Sequence, residues 1–129
     1  MTKYLLFHSF SFKNNLIADP FYNLSLVSYK ELIFNISKKI EPNQYTISFD
    51  DGYESIKPAI KYASELGFRT AAYIVTSKIN QKGFLSENDI LDLKLKGTII
   101  GSHTHSHKNL TKLNTSELRY EFKKSKDIL

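Results

Sequence analysis

Two short polar clusters contain the residues best suited to chemistry: the adjacent carboxylates Asp50 and Asp51, followed by Gly52, and the run His103-Thr104-His105-Ser106-His107. The chain has no cysteine, so a metal ion bound here must be held by His, Asp or Glu. Two imidazoles and one carboxylate make a three-ligand set of the hydrolytic zinc type, with a position left open for water. His103 and His107 are four residues apart, so one turn of backbone brings both rings to one ion. Two neighbouring aspartates do not easily serve the same ion from one strand end. One ligates, and the other stays free to take a proton; spacing alone does not say which. A metal in such a site lowers the pKa of bound water and polarises a substrate carbonyl, and the free carboxylate acts as general base.

Each cluster taken alone is weak, because Asp, Gly, Ser and Thr are ordinary turn residues. Their weight comes from what precedes them. Tyr45, Ile47 and Phe49 alternate with Thr46 and Ser48, the period of a strand, and Thr98-Ile99-Ile100 runs into the histidines in the same way. In a parallel sheet all such strand ends emerge on one side, where ligands are handled.

Around these strands the chain alternates. Tyr4 to Phe10 reads as a first strand buried on both faces, with His8 as a hydrogen-bonded core residue. Ser11 to Leu26 reads as irregular, with a turn at Asp19-Pro20. Ser28 and Glu31 have capping-box spacing for a first helix whose stripe is Tyr29, Leu32, Ile33, Ile36 and Ile40, ended by Glu41-Pro42-Asn43. Tyr45 to Phe49 is the second strand. A second helix with Pro58 near its start stops at Gly67, and Arg69 to Val75 is the third strand. Ser86 and Asp89 cap a short helix to Lys96, Thr98 to Ser102 is the fourth strand, and Asn114 with Glu117 starts a last helix lined by Leu118, Phe122, Ser125 and Leu129. The class is α/β with a parallel sheet. Four strands do not close a barrel, which takes about eight. The last helix stops on an apolar position, so the expectation is one partial domain over residues 1–129, or self-association through the unclosed sheet edge.

Bulk composition narrows the field further. With 129 residues, 41% hydrophobic and 24% charged, the chain has room for one core and the balance of an ordinary globular protein. The net charge of +5 comes from lysines scattered along the chain, apart from Lys38-Lys39 and Lys123-Lys124, which describes a solvated face and not a nucleic-acid site. No run reaches transmembrane length, and the N-terminus is apolar too briefly for a signal peptide. A cytoplasmic site or, if a leader has been removed, the cell envelope or exterior is expected.

Ser48-Phe49-Asp50-Asp51-Gly52 and His103-Thr104-His105-Ser106-His107 resemble the first two motifs of the polysaccharide deacetylases with the NodB homology domain, carbohydrate esterase family 4. Ala71-Ala72-Tyr73-Ile74-Val75, Gly83-Phe84-Leu85 and Ile99-Ile100-Gly101-Ser102 fall between them in the family's order, and Leu6-Phe7-His8 is similar to the opening of one subgroup. The resemblance implies the N-terminal part of a distorted (β/α) barrel that removes acetyl groups from N-acetylated sugars of a poly- or oligosaccharide. It implies Asp50 as general base, and Asp51, His103 and His107 as ligands to a divalent metal, most often zinc. The family's downstream motifs are an Arg-Pro segment, an Asp/Trp segment and a Leu-x-His carrying the general acid. None has a counterpart here, and His8 does not match the last of them. Two further readings stand beside the deacetylase: a shortened, non-catalytic domain that binds metal, glycan or a partner, and an amidohydrolase acting on a small nitrogenous molecule. For the remaining cluster residues, Thr104 and Ser106 read as turn formers or hydrogen-bond supports and His105 as solvent-facing. Tyr53 either lines the cleft or staples the following helix.

Overall fold

The computed structural model describes residues 3–11, 19 and 21–129. Its main sheet has four parallel strands in the order β1 (Lys3–Phe7), β4 (Tyr45–Phe49), β5 (Arg69–Ile74), β6 (Ile99–Ser102). Between β1 and β4 the chain makes β2 (Ser9–Ser11), β3 (Asn23–Ser25) and helix α1 (Leu26–Ser37). Helix α2 (Lys57–Glu65) follows β4, α3 (Glu87–Leu95) follows β5, and α4 (Thr115–Ile128) follows β6. The expected α/β alternation and parallel sheet are present. Among the described residues no helix is long and apolar enough to cross a membrane.

The register aligns the strand ends. Phe7 pairs with Phe49, Phe49 with Ala72, and Ile74 with Ser102. The Asp50 N–H then donates to the Phe7 carbonyl at 3.0 Å, and the His103 N–H to the Ile74 carbonyl at 2.8 Å. Both polar clusters therefore leave the sheet at its C-terminal edge. Beneath them lies an aromatic knot. Tyr29 of α1 packs edge-on against Phe7 and Phe10 with centroids 5.0 and 4.7 Å away, and Phe49 completes the group. Tyr29 is fully buried, and its hydroxyl donates to the Ala59 carbonyl of α2 at 3.1 Å. Burial, with a smaller contribution from Tyr62, pushes its phenol well above the usual range, so it stays a neutral donor.

Several expectations are corrected. The first strand is broken at His8: Phe10 leaves the main sheet and pairs, through β2, with β3, inside a stretch read as irregular. Residues 12–18 and 20 of that stretch, Pro20 included, lie outside the described residues, but Asp19 Oδ1 does accept from the Phe21 and Tyr22 amides at 2.8 and 2.6 Å. Being an outer strand, β1 leaves Tyr4 and Leu6 more than half exposed instead of burying both faces. Helix α1 begins earlier than read, because Ser25 Oγ, not Ser28, accepts from the backbone of the third residue on. Of its stripe, Tyr29 and Ile33 are buried whereas Leu32 is exposed. In α4 the inward positions are Glu121 and Ser125, with Phe122 and Leu129 exposed. By contrast, the capping boxes at Ser86/Asp89 and Asn114/Glu117 are both formed.

Gly52 turns the chain straight after the aspartates at φ 80°, and a Cβ there would lie 3.3 Å from Ile74 Cδ1. Substitution Gly52→Ala is expected to lower unfolding free energy by about 1–2 kcal/mol, the usual cost of the left-handed region for an L-residue. Urea unfolding checks this, and an unchanged midpoint would show that the turn accepts a side chain.

Candidate metal centre

Asp51 follows β4 in the left-handed region at φ 70°, which swings its carboxylate across the sheet edge. His103 leaves the end of β6, and a tight loop returns His107, also left-handed at φ 57°, to the same place. Asp51 Oδ1 lies 3.5 Å from His103 Nε2 and 3.4 Å from His107 Nε2, and the two Nε2 atoms are 3.1 Å apart. Ligands held about 2.0–2.2 Å from a tetrahedral zinc would stand roughly 3.3 Å from one another. The triangle matches that spacing with no rearrangement.

Asp51 Oδ1 is the atom that decides the fit. It is buried and, among the described residues, has no hydrogen-bond partner. An acceptor left unsatisfied in the interior costs about 1–3 kcal/mol, so this oxygen is set up for a partner the protein itself does not supply. A divalent ion answers both the orphaned oxygen and the two converging nitrogens.

Asp50 lies next to the triangle, its Oδ2 3.9 Å from His103 Nε2. Burial is the largest influence on its carboxyl and raises its pKa; His103, His8 and His107 pull it down, Asp51 pushes it up, and the net direction is upward. Asp51 thus lies in the donor triangle, and Asp50 lies beside it.

Sequence reading missed part of the surroundings. His8, taken as a core residue, sits half-buried at the break between β1 and β2. It stacks on Tyr22 with centroids 4.7 Å apart, and its charge acts on Asp50. A clue was available in its position, directly after the strand whose end pairs with the residue preceding Asp50. His105 does turn away from the triangle, but not to solvent: its Nδ1 is 2.9 Å from Thr76 Oγ1 and its ring meets Tyr120 edge-on. Tyr53 stacks on Phe84 at 4.8 Å, bridging the turn to the loop before α3. Burial foremost, and then the charges of Asp19 and Asp51, raise its phenol pKa, so it borders the site as well as stapling the turn.

With that geometry in view, comparison with known proteins is decisive. The family model described as "Polysaccharide deacetylase" matches residues 37–129. The chain belongs to this family. It is 32% identical over 85 residues to a chitin deacetylase of Arthroderma benhamiae, an alignment covering 64% of this chain and 22% of that protein. Its fold is shared with a Bacillus cereus polysaccharide deacetylase at TM-score 0.75 and 18% identity, covering 98% of this chain and 45% of the other. A Streptococcus pyogenes deacetylase solved in complex with acetate gives TM-score 0.78 and 14% identity, with coverage of 98% and 66%. The chain therefore spans between about a fifth and two thirds of the length of these relatives.

Replacing His107 by Ala is expected to weaken zinc binding more than about 100-fold, beyond the usual cost of losing a supporting residue. Zinc at a hundred times its Kd should raise the unfolding free energy of the unsubstituted protein by about 2.7 kcal/mol and leave that of His107→Ala nearly unmoved. Titration calorimetry and thermal melts read both, and equal zinc binding by the two proteins would rule out the triangle as the site.

Proposed function

We propose that the domain catalyses metal-dependent hydrolysis of the N-acetyl groups of a poly- or oligosaccharide. The observation that carries the reading is the orphaned Asp51 oxygen between two imidazoles with a second carboxylate, of raised pKa, alongside. Membership of the polysaccharide deacetylase family supports the substrate class, and the donor set of one carboxylate and two histidines supports zinc among the divalent ions.

Asp51, His103 and His107 hold the ion. When bound, it supplies Lewis acidity that favours hydroxide near neutral pH and polarises an amide carbonyl. Asp50 takes the proton from the attacking water. Its Oδ2, 3.9 Å from His103 Nε2, places it beside the ion's site and outside the donor triangle, as a general base must be. Water oxygen bonds to the acetyl carbon, the C–N bond breaks, and acetate and the free amine of the sugar are released. The proton that Asp50 took from water is returned to the departing nitrogen, so the amine leaves neutral. Acetate held by the Streptococcus pyogenes deacetylase is the acid product that such a reaction yields.

Incubation with N-acetylglucosamine oligomers and zinc, followed by an assay for released acetate, tests the proposal. Acetate release is expected to fall by about 100- to 10,000-fold in Asp50→Asn, the usual contribution of a general base, with zinc affinity kept within a few-fold. Zinc binding without any acetate release from the unsubstituted protein would contradict the catalytic reading and favour a binding role.

A further inference from the structure

The loop that carries both histidines is held in an improbable shape. Two of its five residues, Thr104 at φ 66° and His107 at φ 57°, are left-handed, and threonine is β-branched, which makes that conformation especially costly. Something must hold it there. Part of the restraint is local: the Thr104 N–H donates to Ser102 Oγ at 3.1 Å, and the His107 N–H to Thr104 Oγ1 at 3.1 Å. Another part comes from the loop after β5, whose Thr76 and Ser77 amides donate to the Thr104 and His105 carbonyls at 3.2 and 2.9 Å.

The remaining restraint is a charge. Glu121, on the second turn of α4, is 2% exposed, and among the described residues no Lys or Arg forms an ion pair with it. Its Oε2 accepts from the His105 N–H at 2.9 Å and the Ser106 N–H at 2.8 Å, and its Oε1 accepts from the Ser106 hydroxyl. A buried carboxylate is expensive unless its oxygens are filled, and here the donors filling them belong to the crown of the histidine loop. Burial works to raise its pKa, but the Ser106 and His105 hydrogen bonds outweigh it and hold it below the ordinary value, so it is bound as an anion. Four residues on, Ser125 Oγ meets Ser102 Oγ at 2.7 Å, so one face of α4 grips the loop at its crown and its root.

We infer that Glu121 is a positioning residue for the metal centre: its carboxylate clamps the backbone at His105 and Ser106 so that His103 and His107 converge before any ion arrives. This rests on the metal-site reading, but its physical core, a clamp on two amides, can be read without metal. Removing the charge frees the loop to relax its two left-handed residues. The imidazoles are then no longer held in register, and metal binding must include the cost of ordering them.

Glu121→Gln retains the size of the side chain and one acceptor, and Glu121→Ala removes both. Leu93→Ala, in the core face of α3, serves as a destabilised control that has no hydrogen bond to remove from the loop. Two readouts are needed. Amide hydrogen exchange in the metal-free protein should speed up at His105 and Ser106 by tenfold or more in Glu121→Gln, relative to the β4 and β5 amides of the same sample, and not in Leu93→Ala. Zinc affinity, by competition with a chromophoric chelator, should fall about 10- to 100-fold in Glu121→Gln, the range seen when support for a metal ligand is lost, and stay within twofold in Leu93→Ala. Unchanged exchange at the two amides, or equal loss of affinity in the control, would overturn the clamp. If the unsubstituted protein binds no zinc, the metal reading fails by itself, and the exchange experiment still decides whether Glu121 holds the loop. Should Glu121→Ala not fold, Glu121→Gln carries both measurements.

Discussion

A buried carboxylate oxygen with no donor to satisfy it is the constraint from which the rest of this structure can be understood. Asp51 Oδ1 is kept from water and lies against two imidazole nitrogens at 3.4 and 3.5 Å. Left alone, the arrangement costs stability, and folding must supply it from elsewhere. Here that support comes from the aromatic packing of Phe7, Phe10, Tyr29 and Phe49 directly beneath the sheet edge. A parallel sheet is well suited to the task because its strands are fixed in register, so Asp51 and His103, 52 residues apart in sequence, are delivered to one spot.

What was legible in the sequence follows from how local each signal is. The strand from Tyr45 to Phe49 has the bounds its alternation indicates, and the capping boxes at Ser86/Asp89 and Asn114/Glu117 form as their three-residue spacing requires. Each of these depends on neighbours within a few positions. The break at His8 does not. Nothing within residues 4–10 records that β1 stays an outer strand while Ser9–Ser11 pairs with Asn23–Ser25, because that choice is made by a partner 14 residues away.

The same distinction separates the donor triangle from its support. His103, His107 and one of the two aspartates could be nominated from residue type and the strands before them, the family resemblance pointed to Asp51, and the structure brings those three together. Nothing in the spacing along the last helix singles out Glu121. Only the fold turns it inward, onto amides 15 and 16 positions earlier, and shifts the buried face of α4 away from the predicted Phe122 and Leu129. His105 is the converse case: its place in the cluster suggested solvent, yet the loop after β5 offers Thr76 as a partner. Fold and candidate donor set are thus read from short patterns, whereas the groups that hold the donors still are found only when distant elements meet.

Crystals grown with zinc and measured on both sides of its absorption edge address the central claim most directly. The account predicts one strong anomalous peak about 2.0–2.2 Å from a carboxylate oxygen of Asp51 and from Nε2 of both His103 and His107, with Asp50 outside the coordination sphere. A peak ligated by Asp50 in place of Asp51, or no peak among these three side chains at saturating zinc, would contradict it.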